Sequence, residues 1–181
     1  MSSSTHPAVI AISGKSGCGN STVSRLVAER LGLRLINYTF HSIAEERGMS
    51  FEALYELAEK DSSYDLLLDE KQVELAKERN CVLGSRLAIW LADFADLRVY
   101  LSAGAEVRSR RIAKRERVAI EEAFTRTVDR DRRDRDRYLR LYEIDIDDYQ
   151  DHADLVIDAE LGDQYWITET IVHNFTKRNL P

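Results

Sequence analysis

Short apolar runs alternate along this chain with longer stretches in which apolar residues recur at every third or fourth position. The runs are Ala8 to Ser13, Leu33 to Tyr38, Cys81-Val82-Leu83, Leu97 to Leu101 and Leu155-Val156-Ile157. Each is short, rich in Val, Ile and Leu, and bounded by glycine or polar residues, the pattern of strands buried on both faces. Between them lie predicted helices: Ser21 to Leu31, Thr39 to Arg47, one opening at Ser50, Tyr64 to Arg79, Ala105 to Arg117, Ile120 to Tyr142 and Gln164 to Lys177. In the first, Val23, Leu26, Val27 and Leu31 share a face and Gly32 ends the run. Trp90 and Phe94, four apart, read as a packing pair on a further helix, and Trp166 reads as core. The only prolines, Pro7 and Pro181, interrupt no helix interior.

Strands alternating with amphipathic helices predict an α/β fold with a parallel sheet covered on both faces. Ligands in such sheets lie beyond the C-terminal strand ends. The segment ends at Ser13, Asn37, Gly84 and Ala103 are therefore expected around one crevice. Without repeats or a linker, residues 1–181 read as a single domain, with Met1 to Pro7 a frayed terminus.

One turn carries chemistry. Gly14-Lys15-Ser16-Gly17-Cys18-Gly19-Asn20-Ser21-Thr22 follows the first strand and opens the first helix. Glycines there let successive backbone N–H groups face one anion, and the helix N-terminus adds partial positive charge. This is the context of a phosphate-binding loop, G-x-x-x-x-G-K-[ST]. Gly14, Gly19 and Ser21 are in register, but Asn20 stands in the lysine slot. Lys15, beside the first glycine, or a distant arginine is expected to supply the missing charge. Cys18 lies inside the loop, where a helix N-terminus can lower a thiol pKa. A small tolerated loop residue is the plainer reading of it, and Cys81 reads as core.

The second informative stretch is arginine-rich. Arg126, Arg130, Arg133, Arg137 and Arg140 are spaced four, three, four and three apart, one stripe on a helix. Asp129 with Arg133, and Asp131 with Arg135, are spaced for ion pairs. Composition alone favours a solvated, ion-paired face. The preceding helix carries Arg108, Arg111 and Arg115 on one face, with Lys114 alongside. Two such helices joined near Val118 to Ile120 can fold over the loop as a hairpin, excluding water and bringing guanidinium forks to phosphoryl oxygens.

Composition narrows the partners. Apolar content is 44%, charged content 32% and net charge −6 over 181 residues, which disfavours nonspecific nucleic-acid binding. Two cysteines make no disulfide framework, which fits a reducing cytoplasm. No apolar run approaches a membrane span, and Met1 to Pro7 has no secretory apolar region. His6, His152 and His173 have no metal-ligand spacing, and Asp145, Asp147 and Asp148 read as helix-end and surface residues. The pairs Glu45-Glu46 and Glu121-Glu122 read as solvated faces.

From Val9 to Ile157 the chain resembles the cytidylate kinases, within the nucleoside-monophosphate kinases, and among them the short archaeal-type branch. The resemblance rests on the loop, on Glu46-Arg47-Gly48-Met49-Ser50, on Gln72 to Glu78, on Arg86-Leu87-Ala88, on Arg111 to Glu116, and on Ile144 to Asp148. It implies a three-layer P-loop nucleoside-monophosphate kinase fold with a five-stranded parallel sheet, a monophosphate-binding segment at 38–80 and helical arginine lid at 105–142. It implies transfer of the ATP γ-phosphoryl group to CMP or dCMP with Mg²⁺, by a cytoplasmic monomer that uses neither nucleic acid nor membrane. By position, Gly14, Lys15, Ser16, Gly17, Cys18, Gly19, Asn20, Ser21 and Thr22 would cradle the ATP phosphates, with Ser21 at the metal. Arg86 would hold the monophosphate, with His41 beside it. Arg111 and Arg115 would belong to the lid. Arg130, Asp134 and Arg137 match the family's R-x-x-x-D-x-x-R helix. Three departures stand out: Asn20, Gly84-Ser85 where the family has Glu-Gly, and His41 in place of an arginine. A nucleotide-binding protein without catalysis, and a small-molecule kinase with another acceptor, remain alternatives.

Overall fold

The computed structural model describes residues 7–58 and 60–178; of the expected frayed terminus only Pro7 falls within it, and His6 and Pro181 lie outside. Five parallel strands form one sheet: β1 (Val9–Gly14), β2 (Arg34–Ile36), β3 (Cys81–Gly84), β4 (Leu97–Ser102) and β5 (Leu155–Asp158), in the order β2-β3-β1-β4-β5. Among the described residues the helices are α1 (Asn20–Leu31), α2 (Phe40–Glu46), α3 (Phe51–Ala58), α4 (Ser63–Lys77), α5 (Ala88–Leu91), α6 (Ala105–Glu116), α7 (Ile120–Tyr142) and α8 (Gln164–Arg178).

The period of two along β1 decides the layering. Ile10 and Ile12 point to one face, where they pack with Val23 and Val27 of α1 and Ile167 and Ile171 of α8. Val9 and Ala11 point to the other, against Ala76 of α4 and Ala88 and Ile89 of α5. All six residues of β1 are buried, so this strand forms the spine of a helix–sheet–helix sandwich. Each fully buried Ile or Val contributes ~1.5–3 kcal/mol.

Two further clusters shape the ends. Ile43, Ala44 and Leu54 join α2 and α3, with Leu67 and Leu68 of α4 leaning on them. Leu87, Tyr138 and Ile146 fasten the C-terminal part of α7 beside the start of α5. Within the α6–α7 hairpin, Ile112 and Ala113 face Ala123, with Val118 in the bend.

Several sequence expectations need correction. The second strand is shorter than Leu33 to Tyr38, because Asn37 and Tyr38 turn off towards α2, capped reciprocally by Thr39 and Ser42. Trp90 and Phe94 are not on one helix: α5 ends at Leu91, and the chain turns to place Asp96 beneath β1, where its carboxylate accepts from Val9 N at 2.7 Å. Both rings still pack on the same core cluster. Trp166 is 45% exposed rather than core, lying over Gly162 at the start of α8. Of the four expected segment ends, Gly84 lines the crevice, and Gly14 and Tyr38, one residue beyond Ser13 and Asn37, line it in their place. Ser13 is buried, its hydroxyl accepting from Ile89 N at 3.1 Å, and the Ala103 carbonyl is engaged by Arg108.

Candidate active site

The crevice is an open cleft of about 1320 Å³ above the C-terminal strand ends. Its floor is the loop from Gly14 to Thr22. Gly17 (φ +86°) has a left-handed conformation, and a Cβ there would meet the Arg108 backbone oxygen at 2.9 Å, so only glycine lets the loop pack this close to α6. Gly19, also left-handed, caps α1, and no side chain occupies the cap. A helix start without a side-chain cap leaves N–H groups open to an anion, although the Asn20 N–H is turned to the Cys18 sulfur.

Asn20 has another employment. Its amide donates to the Ser85 carbonyl at 3.3 Å, and its oxygen accepts from the Ser24 hydroxyl at 2.9 Å. A Cβ at position 84 would lie 2.4 Å from the Ser24 hydroxyl oxygen, so the departures at Asn20 and Gly84 form one interlocked unit. The missing lysine is replaced by a clamp between α1 and the segment that carries Arg86. Lys15 does line the cleft, and its ammonium is paired with Asp147 at 2.5 Å.

Cys18 is 1% exposed, and burial pushes its thiol up, beyond what the loop's N–H groups and Arg108 and Arg111 recover. This agrees with the plainer reading of Cys18 as a small loop residue: the sulfur packs 2.5 Å from where a Cβ on Gly14 would fall.

The far end of the cleft is made of arginines and acids. Asp134, on α7, is approached by Arg86 at 3.2 Å, Arg137 at 3.7 Å and Arg130 at 3.9 Å. Arg137 also reaches Asp65 of α4 at 3.1 Å. The Nε atoms of Arg86 and Arg137 are buried yet make no hydrogen bond. Arg86 Nε is close to Asp134, but the N–H is not aimed at it, so that attraction is ionic only. Buried donors without acceptors are costly. Burial, together with the neighbouring Arg86 charge, presses Arg130 below the ordinary arginine range.

Of the arginine stripe, Arg126, Arg130, Arg133 and Arg137 line the cleft. The expected ion pairs inside α7 do not form. Asp131 is taken by Arg108, and Arg135 binds Asp145 at 2.5 Å and Asp147 at 3.4 Å. Arg133 turns its Nε to the Asp129 backbone carbonyl. Asp145 is held down to about 2 by its hydrogen bond to Arg135.

From α6, Arg111 and Arg115 line the cleft as expected. Arg111 donates to the carbonyls of Cys18 and Ala159, and Arg115 pairs with Glu116. Arg108 does not line it. Its guanidinium is buried, forked to Asp131 at 3.1 and 2.6 Å, and donates to the Ser16 and Ala103 carbonyls. It anchors the hairpin to the phosphate loop.

His41 is corrected. Phe40 lines the cleft, but His41, one residue further round α2, faces away and stacks on Phe51 with ring centres 4.0 Å apart. Consecutive helical residues diverge by about a quarter turn or more, and here that step carries the His41 ring onto Phe51.

Asp65 and Asp69 were not foreseen. They line the cleft from α4 alongside Gln72, whose amide donates to the Tyr38 carbonyl at 2.9 Å. Tyr142 donates its hydroxyl to Asp69 Oδ2 at 2.5 Å, and among the described residues no hydrogen bond is made to the other oxygen. Burial pushes Asp69 up to about 6. The sequence signal was weak: their four-residue spacing on one face of a helix otherwise rich in acids.

The Ser21 hydroxyl makes no hydrogen bond and lines the cleft beside Thr22. Among the described residues no group of three acids, histidines or cysteines could hold a metal alone. One hydroxyl is a poor site by itself but suits a Mg²⁺ that arrives bound to phosphates and waters.

This loop, sheet order and hairpin define a P-loop kinase fold. Solved structures agree: shikimate kinase from Acinetobacter baumannii in complex with shikimate superposes with a TM-score of 0.68 at 20% identity, covering 96% of both chains. Deoxyadenosine kinase from M. mycoides with bound dATP gives 0.55 at 19%, covering 93% of this chain and 99% of that one. Within that fold, the model of the cytidylate kinase-like family matches residues 9–161, and the chain belongs to this family. Cytidylate kinase 2 of Borreliella afzelii (strain PKo) is 47% identical over 174 residues, 94% of this chain and 98% of that protein. Cytidylate kinase of Pyrococcus horikoshii is 42% identical over 153 residues, 83% of this chain and 79% of that protein.

Proposed function

We propose that this protein is a cytidylate kinase that transfers the γ-phosphoryl group of ATP to CMP or dCMP, giving ADP and CDP or dCDP. The observation that carries the reading is the gathering of Arg86, Arg130 and Arg137 around Asp134 at one end of a cleft whose other end is a phosphate loop. One end is suited to a polyphosphate and the other to a second, smaller oxyanion.

In this reading the loop from Gly14 to Thr22 holds the triphosphate through backbone N–H groups. Arg86 and Arg137 grip the monophosphate, with Asp134 keeping the guanidiniums in place until it arrives. A monophosphate oxygen attacks the γ-phosphorus as the bond to the β–γ bridging oxygen breaks, and ADP leaves. Lys15, Arg111, Arg115, Arg130 and Arg137 neutralise charge spread over the transferred group. Ser21 would be the protein ligand of a phosphate-bound Mg²⁺, which would supply further neutralisation of that charge.

The base end is acidic, with Asp65 and Asp69 beside Tyr38 and Phe40. A carboxylate only accepts hydrogen bonds. Cytosine offers amino hydrogens at its outer edge where uracil offers an oxygen. The Asp69 oxygen not held by Tyr142 is therefore suited to CMP over UMP.

A coupled ADP-release assay with each nucleoside monophosphate tests this. Turnover with CMP and dCMP well above that with UMP is the expected result. ATP binding without turnover on any monophosphate would leave a non-catalytic nucleotide-binding protein.

A further inference from the structure

Two neighbouring residues of the phosphate loop are tied to α7 by charge, in different ways. The Ser16 carbonyl accepts from Arg108 at 3.1 Å, and Arg108 is forked to Asp131 on α7. Lys15 is paired with Asp147 Oδ1 at 2.5 Å, and the other Asp147 oxygen lies 3.4 Å from Arg135, also on α7. Asp131 and Arg135 sit one helical turn apart.

Burial separates the two ties. The Arg108 side chain is 4% exposed, so its pair is a fixed anchor: parting it would strand a buried charge. Lys15 is 25% exposed and Asp147 48%. A pair this wet is weak and can exchange partners. Lys15 also shares the wall of a small void with Arg86, which places it between the donor loop and the acceptor arginine.

We propose that Asp147 is a positioning residue that acts through Lys15. It holds the ammonium at the mouth of the loop, and a bound triphosphate takes the ammonium over. The exchange is favourable because the triphosphate carries several negative charges against one. Asp147 is not stranded by it, since Arg135 stays beside it and also holds Asp145. The charge that Asn20 lacks is thus supplied by Lys15, and an acid outside the loop sets how tightly the loop binds. This rests on the reading of the loop as an ATP site.

Titration calorimetry of the full chain with a non-hydrolysable ATP analogue and Mg²⁺ tests the exchange, using wild type, Asp147→Asn, Lys15→Gln and the double variant, each with its melting temperature. Asp147→Asn is expected to bind the analogue roughly fivefold tighter, equivalent to ~1 kcal/mol. Lys15→Gln is expected to bind it more weakly, and the double variant like Lys15→Gln alone. Unchanged or weaker binding in Asp147→Asn overturns the proposal. So does a gain that persists without Lys15, which would assign the effect to the general field of a lost carboxylate. Asp147→Ser carries the same expectation should Asp147→Asn fail to fold. Absence of heat in wild type would remove the ATP-site reading and the inference together, whereas heat in wild type with a flat Asp147→Asn removes the inference alone.

Discussion

The two ends of the cleft are built on opposite principles. The donor end is made of backbone. Its anion-facing groups are N–H groups within nine consecutive residues, and two of its side chains, Asn20 and Cys18, serve the protein's own packing. The acceptor end is made of side chains: Asp65 and Asp69 from α4, Arg86 from the turn before α5, and Arg130, Asp134 and Arg137 from α7. Backbone groups arrive pre-aimed once the turn folds. Guanidiniums must be held, and here carboxylates hold them. The acceptor end therefore carries a cluster of its own counter-charges, whereas the donor end has one exposed pair, Lys15 with Asp147.

Removing Arg86 breaks this contrast most severely. Arg86→Ala deletes an acceptor-side guanidinium whose Nε has no hydrogen-bond partner. Turnover per unit of CMP should fall on the order of a hundredfold or more, as for loss of one charge-stabilising donor. Stability should change little, because an unsatisfied buried donor leaves with it and Asp134 keeps Arg130 and Arg137. Steady-state kinetics beside thermal melting reads both. A large loss of melting temperature with modest kinetic loss would make Arg86 a structural strut.

The same contrast explains what could be read from the sequence. The donor end lies in one stretch with a strand before it and a helix after, and the alternation of Ile10 and Ile12 with Val9 and Ala11 fixes both faces of the sheet. The hairpin ends at Glu116 and begins again at Ile120, close to where periodicity placed them. The acceptor end depends on which way single side chains turn. Phe40 against His41 is one helical step, and neither apolar period nor charge decides it. Arg108 and Arg111 share a helix face, yet one is buried against Asp131 and the other lines the cleft. Partners distant in sequence decide such cases: Asp131 lies 23 residues from Arg108. Asp65 and Asp69 look like solvated acids until Tyr142 and Arg137 arrive from α7.

Asp69 gives the next effect in size, and it sharpens the acceptor side alone. Burial raises its folded-state value to about 6, above the ordinary carboxylate range, so between about pH 4 and 6 the folded protein holds the proton more tightly than the unfolded chain. This group's contribution to stability is present below about pH 4 and is lost as pH rises to about 6. If the ionised carboxylate receives the cytosine amino group, activity runs the other way. Turnover per unit of CMP should drop by up to tenfold for each pH unit below about 6, the limit for one essential ionisation. Asp69→Asn should flatten both profiles, seen as the wild type minus variant difference. Analogue binding at the donor end should show no matching step. An unaltered CMP profile in Asp69→Asn would remove Asp69 from base recognition.

Asn20 produces the smallest expected effect and tests where the boundary between the two ends lies. It occupies a donor-loop position, yet its amide holds the Ser85 carbonyl, one residue before Arg86, and its oxygen accepts from Ser24. Losing both hydrogen bonds in Asn20→Ala should cost on the order of 1–2 kcal/mol of stability. The kinetic consequence should appear on the acceptor: the KM for CMP should rise several-fold while the KM for ATP moves less, because the backbone cradle needs no side chain at this position. Separate titration of each substrate at saturating levels of the other measures the split. A larger rise in the KM for ATP would mean that the amide reaches the triphosphate after all, and the donor end would then be partly side-chain-built. A rise confined to CMP would place a residue of the phosphate loop among the supports of the acceptor arginine, through the bond from its amide to the Ser85 carbonyl.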